Sequence, residues 1–319
     1  MSNIDQLLFQ LKNSLMQEKW LQVIQQTSTL ILDKKSEIHQ AIICLLASGH
    51  LLIEDVPGVG KTTLVQIIAK LLGLEHQRIQ FTSDLLPSDI VGNSIYDSEK
   101  REFKFFQGPL FAHLVLADEL NRANPRTQSA LLQAMEEGQV TVDRTTWNLP
   151  KPFFLIATQN PRFQTGTFPL PESQLDRFLM SLTLNYASSE AEIKIFQGQD
   201  PRLALPGLTA ILTQAELVES QKKVEQITVS PLLAKYISAL LNESRRRADH
   251  FPALSTRTGI ALSKAAKACA FLQGRNYALP EDVQAISRSV LSHRLGGTEG
   301  VSYGQSRSQE LVQVVAVPS

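Results

Sequence analysis

The sequence predicts an α/β protein: a parallel sheet with crossover helices, followed by an all-helical C-terminal domain. Three observations carry this. Five short apolar runs, "HLLIE" (50–54), "RIQF" (78–81), "HLVLA" (113–117), "FFLIA" (153–157) and "MSLTL" (180–184), are separated by helical or loop segments. Several are near-continuous rather than alternating, as in strands buried on both faces. Beyond residue 186 such runs stop and helical patterns follow one another.

Taken in order, residues 5–32 carry apolar positions at helical spacing and read as one or two leading helices. "SEIHQAIICLLASG" reads as a helix with Ser36 at its N-cap and Gly49 at its stop. "KTTLVQIIAKLLG", between the first two strands, is a helix ending at Gly73, so strand and helix alternate as crossover connections require. "SPLLAKYISALLNESRRR", "STRTGIALSKAAKACAFLQG" and "LPEDVQAISRSVLSHRLGG" are three successive helical patterns. In the last, Pro280 opens the helix, Glu281 and Asp282 fill its first turn, and Val283, Ile286, Val290 and Leu291 form an apolar stripe. His293 and Arg294 fall in its last turn, where cations suit the macrodipole. The expected division is an N-terminal helical segment (1–35), an α/β core (36–186) and a helical domain with a C-terminal tail (187–319).

A chain of 319 residues suggests two domains, or one with a lid. Its 43% hydrophobic and 19% charged content is ordinary for a globular protein, and a net charge of +0 gives no reason to expect nucleic acid or an anionic membrane as a partner. Cys44 and Cys269 lie in apolar helical patterns with no metal or pairing spacing and read as buried thiols in a reducing compartment. The start "MSNIDQLLFQ" lacks a signal-peptide pattern, and no apolar run approaches the about 20 residues needed to span a bilayer, so membrane insertion is not expected and a cytoplasmic location is.

The chemistry gathers first at "LLIEDVPGVGKTT". A phosphate-binding loop needs backbone N–H groups converging on one point, a mobile cation and a hydroxyl for Mg²⁺. Pro57, Gly58, Val59, Gly60, Lys61, Thr62 and Thr63 supply these: the glycines let the backbone curl, Lys61 reaches the β/γ-phosphates and Thr62 offers a metal ligand. The usual spacing places a glycine where this chain has Asp55, a residue type that tolerates unusual φ. Next, Asp118 and Glu119 follow a buried strand, at the sheet end where ligands bind. One carboxylate can hold Mg²⁺ and the other orient or deprotonate the attacking water, although a solvated strand end has the same local pattern.

Asn160 ends the next buried strand and can hydrogen-bond that water or the γ-phosphate; a turn-forming Asn before Pro161 is the alternative. Arg257 falls in the first turn of a helix capped by Ser255, where a cation opposes the macrodipole; either it is functional or it is a solvated arginine. Arg177 precedes the fifth strand, with a surface pair to Asp176 as its ordinary alternative. "NESRRRADH" contains acids and no aromatic residues and reads as a solvated helix face, and the six histidines show no ligand spacing.

Together these segments resemble the AAA+ ATPases and, within them, the MoxR family. The most specific are "GHLLIEDVPGVGKTTL", "RIQFTSDLLPSDIVG", "GPLFAHLVLADELNRANPRTQSALLQAMEEGQVTVD", "IATQNP" and "PLPESQLDRF", with the helical region from Arg257 to Leu295. The resemblance implies an αβα nucleotide-binding sandwich with a C-terminal helical lid, binding ATP and Mg²⁺ and assembling as a homo-oligomeric, hexameric ring. It aligns Lys61 and Thr62 with the Walker A motif, Asp118 and Glu119 with Walker B, and Asn160 with sensor 1. Arg177 matches the arginine finger directed at a neighbouring subunit, and Arg257 the sensor 2 arginine that contacts nucleotide phosphates. The family's inserts correspond to "SIYDSEKREFKFFQGPLF" and "GQVTVDRTTWNLPKP", whose alternation also suits plain surface hairpins. Two departures stand out: "LILDKKSEI" replaces a Val-x-Gly-Gln pattern near the adenine, and Ser255-Thr256-Arg257 replaces Ser-Pro-Arg.

The resemblance implies an ATP-hydrolysing ring that remodels or matures client protein complexes, with von Willebrand factor A domain proteins as partners. A magnesium-chelatase-like motor subunit and a nucleic-acid-linked AAA+ motor are the alternatives. The neutral charge and lack of a basic stripe argue against nucleic acid, and the intact Asp118-Glu119 pair argues against a scaffold without turnover.

Overall fold

A computed structural model of the chain describes residues 3–160, 166–247 and 252–317. Helices α1 (Asn3–Leu30) and α2 (Lys35–Leu46) lead into strand β1 (Leu51–Glu54). The leading segment is one helix. Helix α2 begins one residue before the expected Ser36 cap, with Lys34 at the cap and no side-chain cap bond. It closes at Leu46 because Ser48 turns to φ 51° and the Gly49 N–H donates back to Cys44 O at 3.0 Å. Gly49 is required there, since an added Cβ would collide with the Leu179 side chain.

The chain continues through α3 (Lys61–Leu71), β2 (His76–Gln80) and α4 (Pro87–Val91) to β3 (Gly92–Asp97) and β4 (Glu102–Gln107). Then come β5 (Leu114–Asp118), α5 (Pro125–Glu137), β6 (Gln139–Val142), β7 (Thr145–Asn148), β8 (Phe154–Gln159), α6 (Glu172–Leu175) and β9 (Met180–Leu182). All five expected strands pair in one parallel sheet, in the order β2-β5-β8-β1-β9. The near-continuous apolar runs have the predicted cause. Leu51, Ile53, Leu116 and Ile156 face one core with α2 and α3, while Leu52, Val115, Ala117 and Leu155 face another with α5. Both suspected inserts are antiparallel hairpins, β3–β4 and β6–β7, and Phe105 stacks on Trp147 between them at 4.7 Å.

After β9 the named elements are helices: α7 (Ser189–Phe196), α8 (Pro201–Ala204), α9 (Gln214–Gln226), α10 (Pro231–Arg246), α11 (Thr256–Leu272), α12 (Pro280–Leu295) and α13 (Val301–Val314). The segment read as a tail thus contains a helix. The Val283, Ile286, Val290 and Leu291 stripe of α12 is buried, as are Cys44 and Cys269. The helical region is tied to the sheet by polar contacts as well as apolar ones: Glu54 accepts the Val301 N–H at 3.0 Å, and His293 and Arg294 turn inward onto residues 176–181. Both fall in the last turn of α12, as expected, and there both side chains have partners on the sheet side. In "NESRRRADH", Arg246 and Arg247 pair with Glu243, while residues 248–250 lie outside the described residues.

Candidate functional site

The turn between β1 and α3 is a phosphate-cradle conformation. Gly58 and Gly60 hold φ of 88° and 87°, a region that L side chains rarely adopt, and Gly60 caps α3 in the left-handed conformation. No acidic residue occupies the first turn of α3, so its N–H groups and positive end stay open to an anion. Lys61 Nζ folds back onto the Asp55 and Val56 carbonyl oxygens, both at 3.0 Å. Burial lowers its pKa below the ordinary lysine value, opposed by Asp55, Asp118 and Glu119.

Asp55 has a different role from the one expected. Its φ is not left-handed; instead its buried carboxylate bonds backbone N–H groups. Oδ2 accepts from Leu184 and Asn185 at 2.5 and 2.6 Å, and Oδ1 from Val56 at 2.8 Å. The side chain thus fastens the start of the loop to the chain leaving β9.

The carboxyl ends of β5 and β8 bring the next residues together. Glu119 sits at φ 57°, an uncommon conformation for a residue with a side chain, and its N–H donates to Thr158 Oγ1 at 2.8 Å. The same hydroxyl donates to Asp118 Oδ1 at 2.6 Å, so one buried threonine fixes both acidic residues. Asp118 Oδ2 accepts from Arg78 Nη2 at 2.7 Å. Glu119 accepts from Asn160 Nδ2 at 3.2 Å and from Gln80 Nε2 at 3.0 Å, and pairs with Arg122 at 3.2 Å. Asn160 is therefore poised on Glu119; Pro161, the residue that would make it a turn asparagine, lies outside the described residues. Thr158, Arg78 and Gln80 do not stand out in the sequence. Their one signal is position: Thr158 lies near the carboxyl end of the buried strand β8, and Arg78 and Gln80 on the carboxyl half of the edge strand β2.

Pro57 to Thr63, Asp118, Glu119 and Asn160 all line one cleft of about 790 Å³. Leu30, Ile31 and Lys34 line the same cleft with Tyr186 and Phe196, which places the divergent "LILDKKSEI" segment at the site. Lys34 Nζ donates to Tyr186 O at 3.0 Å and Asp33 bonds Ser188. Thr62 and Asp118 offer hydroxyl and carboxylate oxygens to the cleft, hard donors that suit Mg²⁺. No cluster of three or more His, Cys, Asp or Glu suited to a metal occurs among the described residues.

Arg177 and Arg257 are not in this cleft. They meet elsewhere, beside α5. Arg257 Nη2 lies 2.8 Å from Glu136 Oε1, and Arg177 Nη1 lies 3.1 Å from Glu136 Oε2 and 3.0 Å from Leu132 O. Arg177 Nε is buried without a hydrogen-bond partner among the described residues. Arg177 does not pair with Asp176, whose carboxylate is taken by Arg294 and Ser255. The Ser255 cap forms as expected, accepting the Thr258 N–H at 3.2 Å.

Residues 50–180 match the ATPase family associated with various cellular activities (AAA), and residues 251–313 match the AAA lid domain. The uncharacterised Bacillus subtilis (strain 168) protein YeaC is 40% identical, over 92% of this chain and 93% of its own. Chaperone MoxR1 of Mycobacterium tuberculosis is 37% identical, over 83% of this chain and 72% of its own. Protein MoxR of Paracoccus denitrificans is 30% identical over 83% and 85%. A crystal structure from Cytophaga hutchinsonii, of a protein assigned as an ATPase, superposes with TM-score 0.88 at 35% identity, covering 99% of this chain and 100% of that one.

Proposed function

The chain belongs to the MoxR family of AAA+ ATPases, and we propose that it hydrolyses ATP at sites completed between subunits of a homohexameric ring. The cycle would drive remodelling or maturation of partner proteins, among them proteins with von Willebrand factor A domains. The observation that carries the intersubunit reading is the separation of the charges. Lys61, Asp118 and Glu119 line one cleft, whereas Arg177 and Arg257 stand together on Glu136 outside it. Phosphoryl transfer needs cations on the γ-phosphate as charge develops, and a neighbouring copy can bring this pair to it.

In this reading the N–H groups of residues 57–63 and Lys61 hold the phosphates. Thr62 and Asp118 would hold Mg²⁺, which when bound neutralises β- and γ-phosphate charge. Glu119 orients and deprotonates the attacking water. Asn160 and Gln80 hold its carboxylate from two sides, and Thr158 fixes its backbone. The wall of Leu30, Ile31, Tyr186 and Phe196 offers an apolar, aromatic surface to the adenine. Residues 187–319 act as the lid, their contacts through Glu54, His293 and Arg294 transmitting changes at the site.

Phosphate release and nucleotide binding by Glu119→Gln test the assignment of the cleft. ATP binding is expected to persist and turnover to fall by about 10²–10⁴-fold, the range of a positioned general base. Normal turnover in that variant would contradict it.

A further inference from the structure

The C-terminal end of α12 reaches back to the segment that carries Arg177. Arg294 is buried there, its side chain only 5% exposed, and its guanidinium is committed almost entirely to that segment. Nε donates to Asp176 Oδ1 at 2.7 Å, and Nη2 to Phe178 O at 2.8 Å and Asp176 O at 3.2 Å. Nη1 donates to Leu179 O at 3.2 Å and to Val290 O in its own helix. Beside it, His293 Nε2 donates to Phe178 O at 3.1 Å, which leaves Nδ1 to accept from Ser181 Oγ at 3.0 Å.

Asp176 extends the connection. Its Oδ2 accepts from Ser255 Oγ at 3.1 Å, and Ser255 caps the helix that carries Arg257. Asp176 is adjacent to Arg177 in the chain, and Ser255 lies two residues before Arg257. One buried fork therefore grips the backbone on both sides of Arg177 and, through one carboxylate, the start of α11.

A buried ion pair is weak evidence for stability, because desolvation offsets its Coulomb energy, but its hydrogen-bond geometry can specify a local arrangement. An arginine suits that role, because its planar fork of five donors fixes several acceptors at once, which lysine's single ammonium does not. Neither α12 nor Arg294 lines the phosphate cleft, so the contact has no direct part in binding this chain's own nucleotide.

We infer that Arg294 is a positioning residue. Through Asp176 it sets Arg177 and the start of α11, with Arg257, as one cationic unit, and thereby controls turnover at the neighbouring subunit's site. The inference rests on the intersubunit reading above. It gives α12 a part in the reaction that its distance from the cleft does not suggest.

The test uses full-length protein and subunit mixing. Arg294→Gln and Arg294→Lys are each assayed alone and after mixing with Glu119→Gln. A reference mixture combines Arg177→Ala with Glu119→Gln. In every mixture one partner keeps an intact cleft and the other keeps an intact arginine unit. Alone, each Arg294 variant is expected to assemble and to bind a fluorescent ATP analogue within about twofold of the unsubstituted protein, while kcat falls about 100-fold. Mixing is expected to restore turnover in the Arg294 mixtures as in the reference. Recovery in the reference but not in the Arg294 mixtures would overturn this inference alone. No recovery in the reference would overturn the intersubunit reading and this inference with it. Unchanged kcat, or loss of assembly or nucleotide affinity in both Arg294 variants, would also overturn it, the latter by marking a general structural role.

Discussion

Arg177 and Arg257, eighty positions apart, share one counter-ion: Glu136 Oε2 lies 3.1 Å from Arg177 Nη1, and Oε1 lies 2.8 Å from Arg257 Nη2. The pairs are partly exposed, and such ion pairs contribute about 0–1 kcal/mol each. Glu136→Gln is therefore expected to lower stability by no more than about 1 kcal/mol, with ATP turnover retained. Arg177→Ala should leave a similar melting curve but reduce turnover by about 10³-fold or more, as for loss of an arginine finger. Thermal melts and phosphate release on the same samples separate the two effects. Equal turnover in Arg177→Ala would remove the arginine from the reaction.

Asp55 carries a stability prediction. Removing its carboxylate strands the buried Leu184 N–H, and an orphaned buried donor costs about 1–3 kcal/mol, whereas the N–H of the exposed Asn185 can turn to water. Asp55→Ala should therefore lose about 1–4 kcal/mol in denaturant unfolding. A loss under about 1 kcal/mol would mean that water replaces the carboxylate readily.

Thr158 joins the two acidic residues through a single hydroxyl. Thr158→Val keeps the shape and removes that link. Expected are a stability loss of about 1–3 kcal/mol and a fall in turnover of about tenfold or more as Glu119 loses its fixed position. Nucleotide affinity should persist, and Thr158→Ser should restore activity. Full turnover in the valine variant would show that Glu119 is held without the threonine.

His50 predicts acid sensitivity. Its Nε2 donates to Met135 O at 3.1 Å, and its Nδ1 accepts from the Leu155 N–H at 3.1 Å, an arrangement only a neutral imidazole can make. Burial pushes its pKa down to about 4, with Lys264 acting in the same direction and the Met135 carbonyl opposing. His293, buried and pushed well below its ordinary value, acts likewise. The folded pKa lies below the unfolded value of about 6.5, so the unfolded chain takes up the proton first as pH falls. Stability from His50 is thus present above about pH 6.5 and lost towards pH 4, by at most about 1.4 kcal/mol per unit. Denaturant midpoints across this range should show the slope, and His50→Asn should reduce it. An unchanged slope in the variant would place the titration elsewhere.

Much of this architecture is legible in the sequence because its cause is local. Strands covered on both faces need unbroken apolar runs, and a phosphate loop needs its glycines, lysine and threonine in consecutive positions. The contacts that organise the site are not local. Thr158, Gln80 and Arg78 meet the acidic residues across neighbouring strands, and no spacing along the chain encodes that meeting. Asp55 misleads for the same reason: its partners lie about 130 residues downstream, so φ tolerance looks like the relevant property. His293 and Arg294 sit in the last turn of α12, as read, but their partners at Phe178 and Asp176 lie more than 100 residues upstream and no local pattern encodes them. That Arg177 and Arg257 meet on Glu136 comes only from the fold.

Turnover per chain, measured as phosphate release across a dilution series with the oligomeric state of each sample determined by sedimentation, tests the central claim most directly. If each site is completed by a neighbour's arginines, turnover per chain rises with the assembled fraction and falls away in dilute monomer. Equal turnover in monomer and assembly would contradict the account.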